Sequence, residues 1–167
     1  VSVFILSIAV GSYVVGRLKD IPRYMLFANQ LLITLTMLLL YLSLDTWPYY
    51  AHLIRAAFPS DITAFSAYYR SVFAVLMLTL VIPVGLMGAT VPITFHEIKR
   101  DLKLVGKHSG ILFSLNTVGN LTGSLMGGVF FYYFMNHAGV FLSAVLLAGF
   151  STCLAGWGNL AKGKQYV

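Results

Sequence analysis

The side chains that could do chemistry are few and far apart in this chain of 167 residues. There are one cysteine, four histidines and five acidic residues. His52 and His137 fall at one end of the apolar segments and His96 and His108 at the other, and no further ligands stand beside them at metal-site spacing. The sequence also shows no Ser/His/Asp or Cys/His arrangement of the kind that supports nucleophilic catalysis, and no glycine-rich loop that binds phosphate. We therefore predict no catalytic residue, metal or cofactor within these residues.

The residues best suited to a specific contact lie in the segment SLNTVGNLTGSLMGG, from Ser114 to Gly128. At ~100° per residue, six small or amide side chains fall on one face of a helix. They are Asn116, Gly119, Asn120, Gly123, Ser124 and Gly127. Glycine at every fourth position lets a neighbouring helix approach closely, and amides in a membrane bond across to that neighbour. The pattern predicts a helix-packing face, with a solute-facing surface as the alternative.

Two prolines, Pro83 and Pro92, interrupt the preceding apolar segment. Each removes a backbone hydrogen bond and crowds the turn before it, so a helix kink is predicted at both positions. Kinked helices can line the substrate sites of transporters. Proline and glycine are also common in ordinary membrane helices, so both packing and transport stay open.

The elements that must position these residues are apolar helices. Hydrophobic residues make up 59% of the chain and charged residues 10%, whereas a soluble domain carries about a quarter charged residues. Five continuous apolar stretches are present, at 1–16, 24–44, 71–95, 110–134 and 140–160. A crossing needs about 20 such residues, and continuous rather than alternating patterns exclude a barrel. The sequence predicts an all-α, polytopic bundle of about five transmembrane helices in a single domain. The short first stretch and the initial valine suggest a fragment of a longer chain.

The positive charge follows the loops rather than forming one basic patch. Nine of the eleven Lys and Arg residues fall in alternate connections on one side, and only Arg55 and Arg70 fall on the other. This bias predicts that the loops 17–23 and 98–108 and the C-terminus face the cytoplasm. It favours a multi-pass protein of a bacterial-type inner membrane over a nucleic-acid-binding protein. Its expected partners are the lipid bilayer and transmembrane helices of the same or another subunit.

The longest connection, 45–70, lies on the opposite side of the predicted membrane. Its tryptophan and tyrosines suit the aromatic belt at a membrane interface. The stretch 49–58 is predicted to form a short helix lying on that surface, ended by Pro59. A packed connecting loop is the favoured interpretation, and a binding loop is the alternative.

Four pieces of the sequence resemble a known family: GSYVVGRLKD (Gly11 to Asp20), LMGATVP (Leu86 to Pro92), the pair Val105 and Gly106, and the segment Ser114 to Gly128. In order and spacing they are similar to the membrane part of fused spermidine synthase-like proteins. In that family a multi-helix hydrophobic domain precedes an aminopropyltransferase-like domain. The GRLKD turn also resembles the cytoplasmic loop signature of the major facilitator superfamily, although Ile21 and Pro22 depart from that signature.

The resemblance implies a membrane domain without its own active site. A Rossmann-like catalytic domain is not visible in this sequence, so any polyamine chemistry would reside outside these residues. The first hypothesis is an integral membrane scaffold, either the anchor of a spermidine synthase-like protein or an accessory subunit of a larger complex. The second is a transporter-like half-bundle for a small polar or cationic solute, with its site between the third span and Asn116 and Asn120. No ionisable residue lies near the centre of a predicted span, which weakens a coupled transporter.

Overall fold

A computed structural model describes residues 1–59, 61–98 and 105–163, and every regular element in those ranges is helical. The α-helices are α1 (Ser2–Gly16), α2 (Met25–Leu42), α3 (Trp47–Ala56), α4 (Phe65–Ile98), α5 (Val105–Leu125), α6 (Phe131–Phe134) and α7 (His137–Gly163). Short 3₁₀ turns precede α3 and α4, and a π-helical segment, Met126–Phe130, joins α5 to α6. The all-α prediction is confirmed for the described residues.

The predicted spans agree with the helices to different degrees. Among the residues that the structure describes, three helical segments are long and apolar enough to cross a membrane: Met25–Leu42, Ile62–Glu97 and His137–Leu160. They match the stretches predicted at 24–44, 71–95 and 140–160. The first stretch is also a helix but shorter, at 15 residues. A count of five spans is therefore not confirmed.

The fourth predicted span, 110–134, is not one uninterrupted α-helix. Its α-helical hydrogen bonding ends at Leu125, five residues follow in π-helical form, and a single α-helical turn closes the segment at Phe134. Two consecutive glycines, Gly127 and Gly128, lie in the π segment. Glycine lowers the cost of leaving the α-helical pattern because it has little helix propensity of its own. The stretch is helical, as predicted, with a change from α to π form inside it, and a membrane crossing here stays a prediction.

Helix α4 organises the fold. It has 34 residues, which corresponds to about 51 Å at 1.5 Å per residue. Helix α1 packs along it, and α2 packs against both α4 and α7. Helix α5 makes only slight contact with α4. The described chain is thus a bundle of α1, α2, α4 and α7, with the α5–α6 segment at its edge.

Local signals explain several helix boundaries. Pro48 lies in the first turn of α3, where its missing N–H group costs no hydrogen bond. The side chain of Asn136 caps α7, because its Oδ1 accepts the Gly139 N–H group at 2.8 Å. Asp61 caps the turn before α4 in the same way, accepting from the Ile62 N–H group at 2.6 Å. The predicted helix over 49–58 is present as α3, beginning two residues earlier.

The most buried apolar contact lies where α1 turns into α2. Val15 and Ile21 pack there against Ala89 and Ile93 of α4, and Ile93 is completely buried. Away from this cluster, the helices carry large apolar side chains on exposed surfaces. In the most apolar window of α2 only 11% of the residues are buried. A water-facing helix would not leave so many leucines uncovered, and a lipid-facing helix would.

Candidate functional site

Helices α1 and α4 meet backbone to backbone, at a contact that we call the glycine seam (Ser7, Ile8, Gly11 and Ser12 of α1 with Gly85 and Gly88 of α4). A Cβ atom built on Gly11 would overlap the Gly85 carbonyl group. A Cβ atom on Gly88 would lie 2.8 Å from the Ile8 Cα atom. Real side-chain carbons do not approach so closely, so both positions require glycine. This is the close packing that small residues permit between membrane helices.

A hydrogen bond inside the glycine seam compensates for Pro92. An α-helix normally joins the N–H group of residue i to the carbonyl of residue i−4, and proline has no N–H group to give. Pro92 therefore leaves the Gly88 carbonyl without its usual donor. The hydroxyl of Ser12 donates to that carbonyl from α1, at 2.7 Å. The bond lost within α4 is thus replaced by one that joins two helices.

Asn29 of α2 makes the second polar contact with α4. Its Nδ2 donates to the Leu86 carbonyl and to the Thr90 hydroxyl oxygen, both at 3.0 Å. The side chain is only 4% exposed. A carboxamide in such a place would cost free energy without partners, and here its two donor hydrogens are matched by two acceptors. Asn29 therefore fixes α2 at one position along α4.

A third set of polar contacts joins α2 to α7. The hydroxyl oxygens of Thr34 and Thr152 are 2.9 Å apart, and Ser151 donates to the Gln30 side-chain oxygen at 3.3 Å. Thr152 also donates to a carbonyl of its own helix. We call Asn29, Gln30 and Thr34 the α2 polar triplet. It gives α2 hydrogen-bonded contacts with a helix on either side.

The predicted helix-packing face of α5 has no neighbour in the described part of the chain. All of its members are exposed except Gly127, which is half-buried: Asn116, Gly119, Asn120, Gly123, Ser124 and Gly127. Cβ atoms built on the three glycines would meet nothing within 4 Å. Within residues 1–59, 61–98 and 105–163, neither asparagine is hydrogen-bonded to another helix. Packing of this face inside the chain is not found, and packing against another chain stays a prediction.

Pro83 and Pro92 both lie inside α4, which runs through them as one helix. Pro92 contributes to the glycine seam through the carbonyl that it frees. A bend of α4 at either proline stays a prediction.

Sequence reasoning missed the residues that hold the bundle together. Asn29 and Gln30 are the only two carboxamides in the stretch 24–44, and an amide inside an apolar span is itself a signal of a helix contact. Gly11, Gly85 and Gly88 are equally visible as small residues. Their pairing could not be read from the sequence, because small residues show that a helix can be approached but not which helix approaches.

Titratable residues do not assemble into a reactive centre in the described residues. No group of three or more His, Cys, Asp or Glu side chains in them is arranged to hold a metal ion. Cys153 is exposed on α7 and forms no disulfide. What the geometry of the described residues offers is helix packing and hydrogen bonding between helices.

Comparison with known protein families, curated proteins and solved structures gives no match for this chain.

Proposed function

We propose that this chain is an integral membrane scaffold, a helical bundle that holds a larger assembly together through α5. One contrast carries the proposal. The bundle of α1, α2, α4 and α7 is closed by the glycine seam and the α2 polar triplet, whereas the small-residue face of α5 has no neighbour among the described residues. A rigid bundle beside an uncovered packing face is what an anchor or accessory subunit needs.

The exposed surface of the bundle is apolar and suits contact with membrane lipid. Three helical segments have the length and hydropathy for crossing, and their surfaces are rich in exposed Leu, Ile and Phe side chains. We further propose that the basic connections 17–23 and 98–108 face the cytoplasm, together with the C-terminus of the chain, in a bacterial-type inner membrane. Helix α3 and Arg55 then lie on the opposite side.

Helix α5 is the proposed contact with another subunit. Its Asn116 and Asn120 side chains are uncovered, and in hydrocarbon an amide without partners costs several kcal/mol. A helix from another protein, seated on Gly119 and Gly123, would bring its own polar groups within reach of both amides. Hydrogen bonds of this kind contribute roughly 0.6–2 kcal/mol each.

The resemblance to fused spermidine synthase-like proteins remains part of this proposal, with the bundle as the membrane anchor of such a protein. Two of the segments that carry it, Gly11 to Asp20 and Leu86 to Pro92, contact each other in the glycine seam. Close packing of α1 against α4 is enough to explain why these two segments carry glycine and serine. Any aminopropyl transfer would belong to a separate catalytic domain.

A transporter-like half-bundle is the second hypothesis, and the geometry favours it less. It requires a polar site between α4 and the two asparagines of α5, yet α5 makes only slight contact with α4. The buried polar side chains of the bundle, Asn29 and Thr152 among them, are already hydrogen-bonded to neighbouring helices.

The substitution Gly123→Leu tests the scaffold function. The chain is extracted from its native membrane in a mild detergent, and its complex is sized by gel filtration. We expect Gly123→Leu to shift the chain from a large complex to the size of the chain alone, because a leucine would hold the partner helix away. The control is Leu121→Phe, on the opposite side of α5, which should leave the complex intact. If Gly123→Leu and Leu121→Phe both elute at the same volume as the unsubstituted protein, the proposal is contradicted.

A further inference from the structure

A cleft opens between the end of α3 and the start of α4. Its volume is about 330 Å³. Arg55 of α3 lines one part of it, and Asp61, Phe65, Tyr68 and Tyr69 line the rest. The cleft therefore combines a positive group, a negative group and aromatic rings.

The charged groups of the cleft are held in place by neighbours. The Arg55 guanidinium lies over the Tyr68 ring, 5.5 Å from its centre, and its Nη1 donates to the Phe58 carbonyl at 3.5 Å. Asp61 accepts the Ile62 N–H group through one carboxylate oxygen and the Thr63 hydroxyl, at 3.0 Å, through the other. Each carboxylate oxygen has two lone pairs, so Asp61 can accept a further donor from a ligand.

Aromatic rings form the wall beside Asp61. The centres of the Phe65 and Tyr69 rings are 4.5 Å apart, and those of Tyr68 and Tyr69 are 5.2 Å apart with their planes nearly perpendicular. Phe65 and Tyr69 are more than half exposed. Exposed aromatic faces attract ammonium groups, so this wall and the carboxylate favour the same kind of ligand.

Two apolar cavities lie beside the cleft along α4, and we call them together the groove. Tyr68 also borders a second cavity of about 140 Å³, whose other walls include Trp47, Ile54 and Leu76. Trp47 and Leu76 in turn border a third cavity of about 170 Å³, reaching Leu80 and Phe141. The polar cleft and the two apolar cavities are thus neighbours that share wall residues, in an order that leads from the loop toward the middle of α4. We call this series of three cavities the path.

We propose that this path binds one phospholipid with an ethanolamine headgroup. The phosphate pairs with Arg55, the ammonium group is bound by Asp61 and the Tyr69 ring, and an acyl chain lies in the groove beside Trp47. A headgroup with both charges matches the two charges of the cleft. A glycerol headgroup offers no ammonium group to Asp61, and a choline headgroup cannot donate a hydrogen bond to it. The inference rests on the membrane location proposed above.

Fluorescence quenching of Trp47 tests the proposal. The chain has two tryptophans, so Trp157→Phe leaves Trp47 as the only reporter. The protein is placed in bilayers of choline lipid that contain a small, increasing fraction of a lipid with brominated acyl chains. We expect a brominated ethanolamine lipid to quench Trp47 at roughly twofold to fivefold lower mole fraction than brominated choline or glycerol lipids, the range of one exposed ion pair.

Three substitutions connect the preference to the cleft. Asp61→Asn should abolish the preference for ethanolamine over choline, and Arg55→Gln should weaken quenching by both. Arg70→Gln is the matched control, because Arg70 lies on the same end of α4 and is not among the residues that line the cleft. It should keep the preference. Circular dichroism shows whether each variant is folded. If Asp61→Asn does not fold, the comparison of the three brominated lipids on the Trp157→Phe protein, which keeps Asp61, still tests the ethanolamine preference.

The outcomes separate this inference from the proposed function. Equal quenching by the three lipids overturns the ethanolamine site and leaves the membrane scaffold standing. No quenching by any brominated lipid places Trp47 outside the bilayer and overturns the lipid site, while the scaffold is tested separately by Gly123→Leu. Relief of quenching by soluble glycerophosphoethanolamine would show that the headgroup competes for the cleft, which supports the proposal.

Discussion

At the scale of single residues, proline and serine act as a pair across two helices. Pro92 leaves the Gly88 carbonyl without a donor inside α4, and Ser12 supplies one from α1 at 2.7 Å. Asn29 adds two hydrogen bonds from α2 to the same part of α4. Because water does not reach the interior of a membrane bundle, such groups must find their partners in the protein. The polar residues of this chain thus determine which helices are neighbours.

The substitution Asn29→Leu tests this account. It leaves the Thr90 hydroxyl and the Leu86 carbonyl without their donor from α2, and we expect a loss of roughly 0.6–2 kcal/mol in the free energy of unfolding. Thermal melting in detergent, followed by circular dichroism, measures the loss. Thr36→Val is the control on the same helix, because Thr36 bonds only to carbonyls of α2 itself. Equal melting temperatures for Asn29→Leu and Thr36→Val would show that Asn29 does not fix α2.

At the scale of helices, the sequence predicts which segments are helical better than how they pair. Apolar length and the loop signals located α1, α2, α4 and α7 within a few residues. The glycine pattern of α5 was as strong as that of the glycine seam, yet only the latter has a partner in the described chain. Pairing depends on the positions of helices in space, which a local pattern does not contain. The π segment Met126–Phe130 escaped notice for a similar reason, since its hydrogen-bond shift has no fixed residue signature.

The uncovered face of α5 leads to a prediction about the bundle alone. A Cβ atom on Gly123 would meet nothing within 4 Å, so Gly123→Leu should change the melting temperature of the isolated chain little. The expected change in unfolding free energy is within about 0.5 kcal/mol, as for exposed sites elsewhere. Thermal melting of the purified chain measures it, with Gly119→Leu as a second variant on the same face. A large loss of stability in both would mean that α5 packs within its own chain.

At the scale of the whole molecule, the charges and helices predict one orientation. In the topology proposed above, the basic connections alternate with the segment that contains α3, and each long helix would carry the chain from one side of the membrane to the other. If α4 crosses a core about 30 Å thick, its length of about 51 Å means that it also tilts or extends beyond the hydrocarbon. The cleft beside Arg55 then opens at the non-cytoplasmic surface.

Cysteine labelling in intact cells tests this orientation. In a Cys153→Ser background, Thr63→Cys should react with a membrane-impermeant maleimide because it lies beside α3. Asp20→Cys should react only after permeabilisation, since it lies in the basic turn between α1 and α2. Both substituted positions are exposed in the structure. Labelling of Asp20→Cys alone in intact cells would reverse the proposed topology.

The most direct test of a bundle closed by its glycine seam compares two alanine substitutions on α1. A methyl group on Gly11 would overlap the Gly85 carbonyl, whereas one on Gly16 would meet nothing within 4 Å. We predict that Gly11→Ala lowers the free energy of unfolding in detergent by about 1–3 kcal/mol, as overpacking does elsewhere. Gly16→Ala should leave it unchanged or raise it slightly, because alanine favours the helix. Equal melting temperatures for Gly11→Ala and Gly16→Ala would contradict the glycine seam and the scaffold built on it.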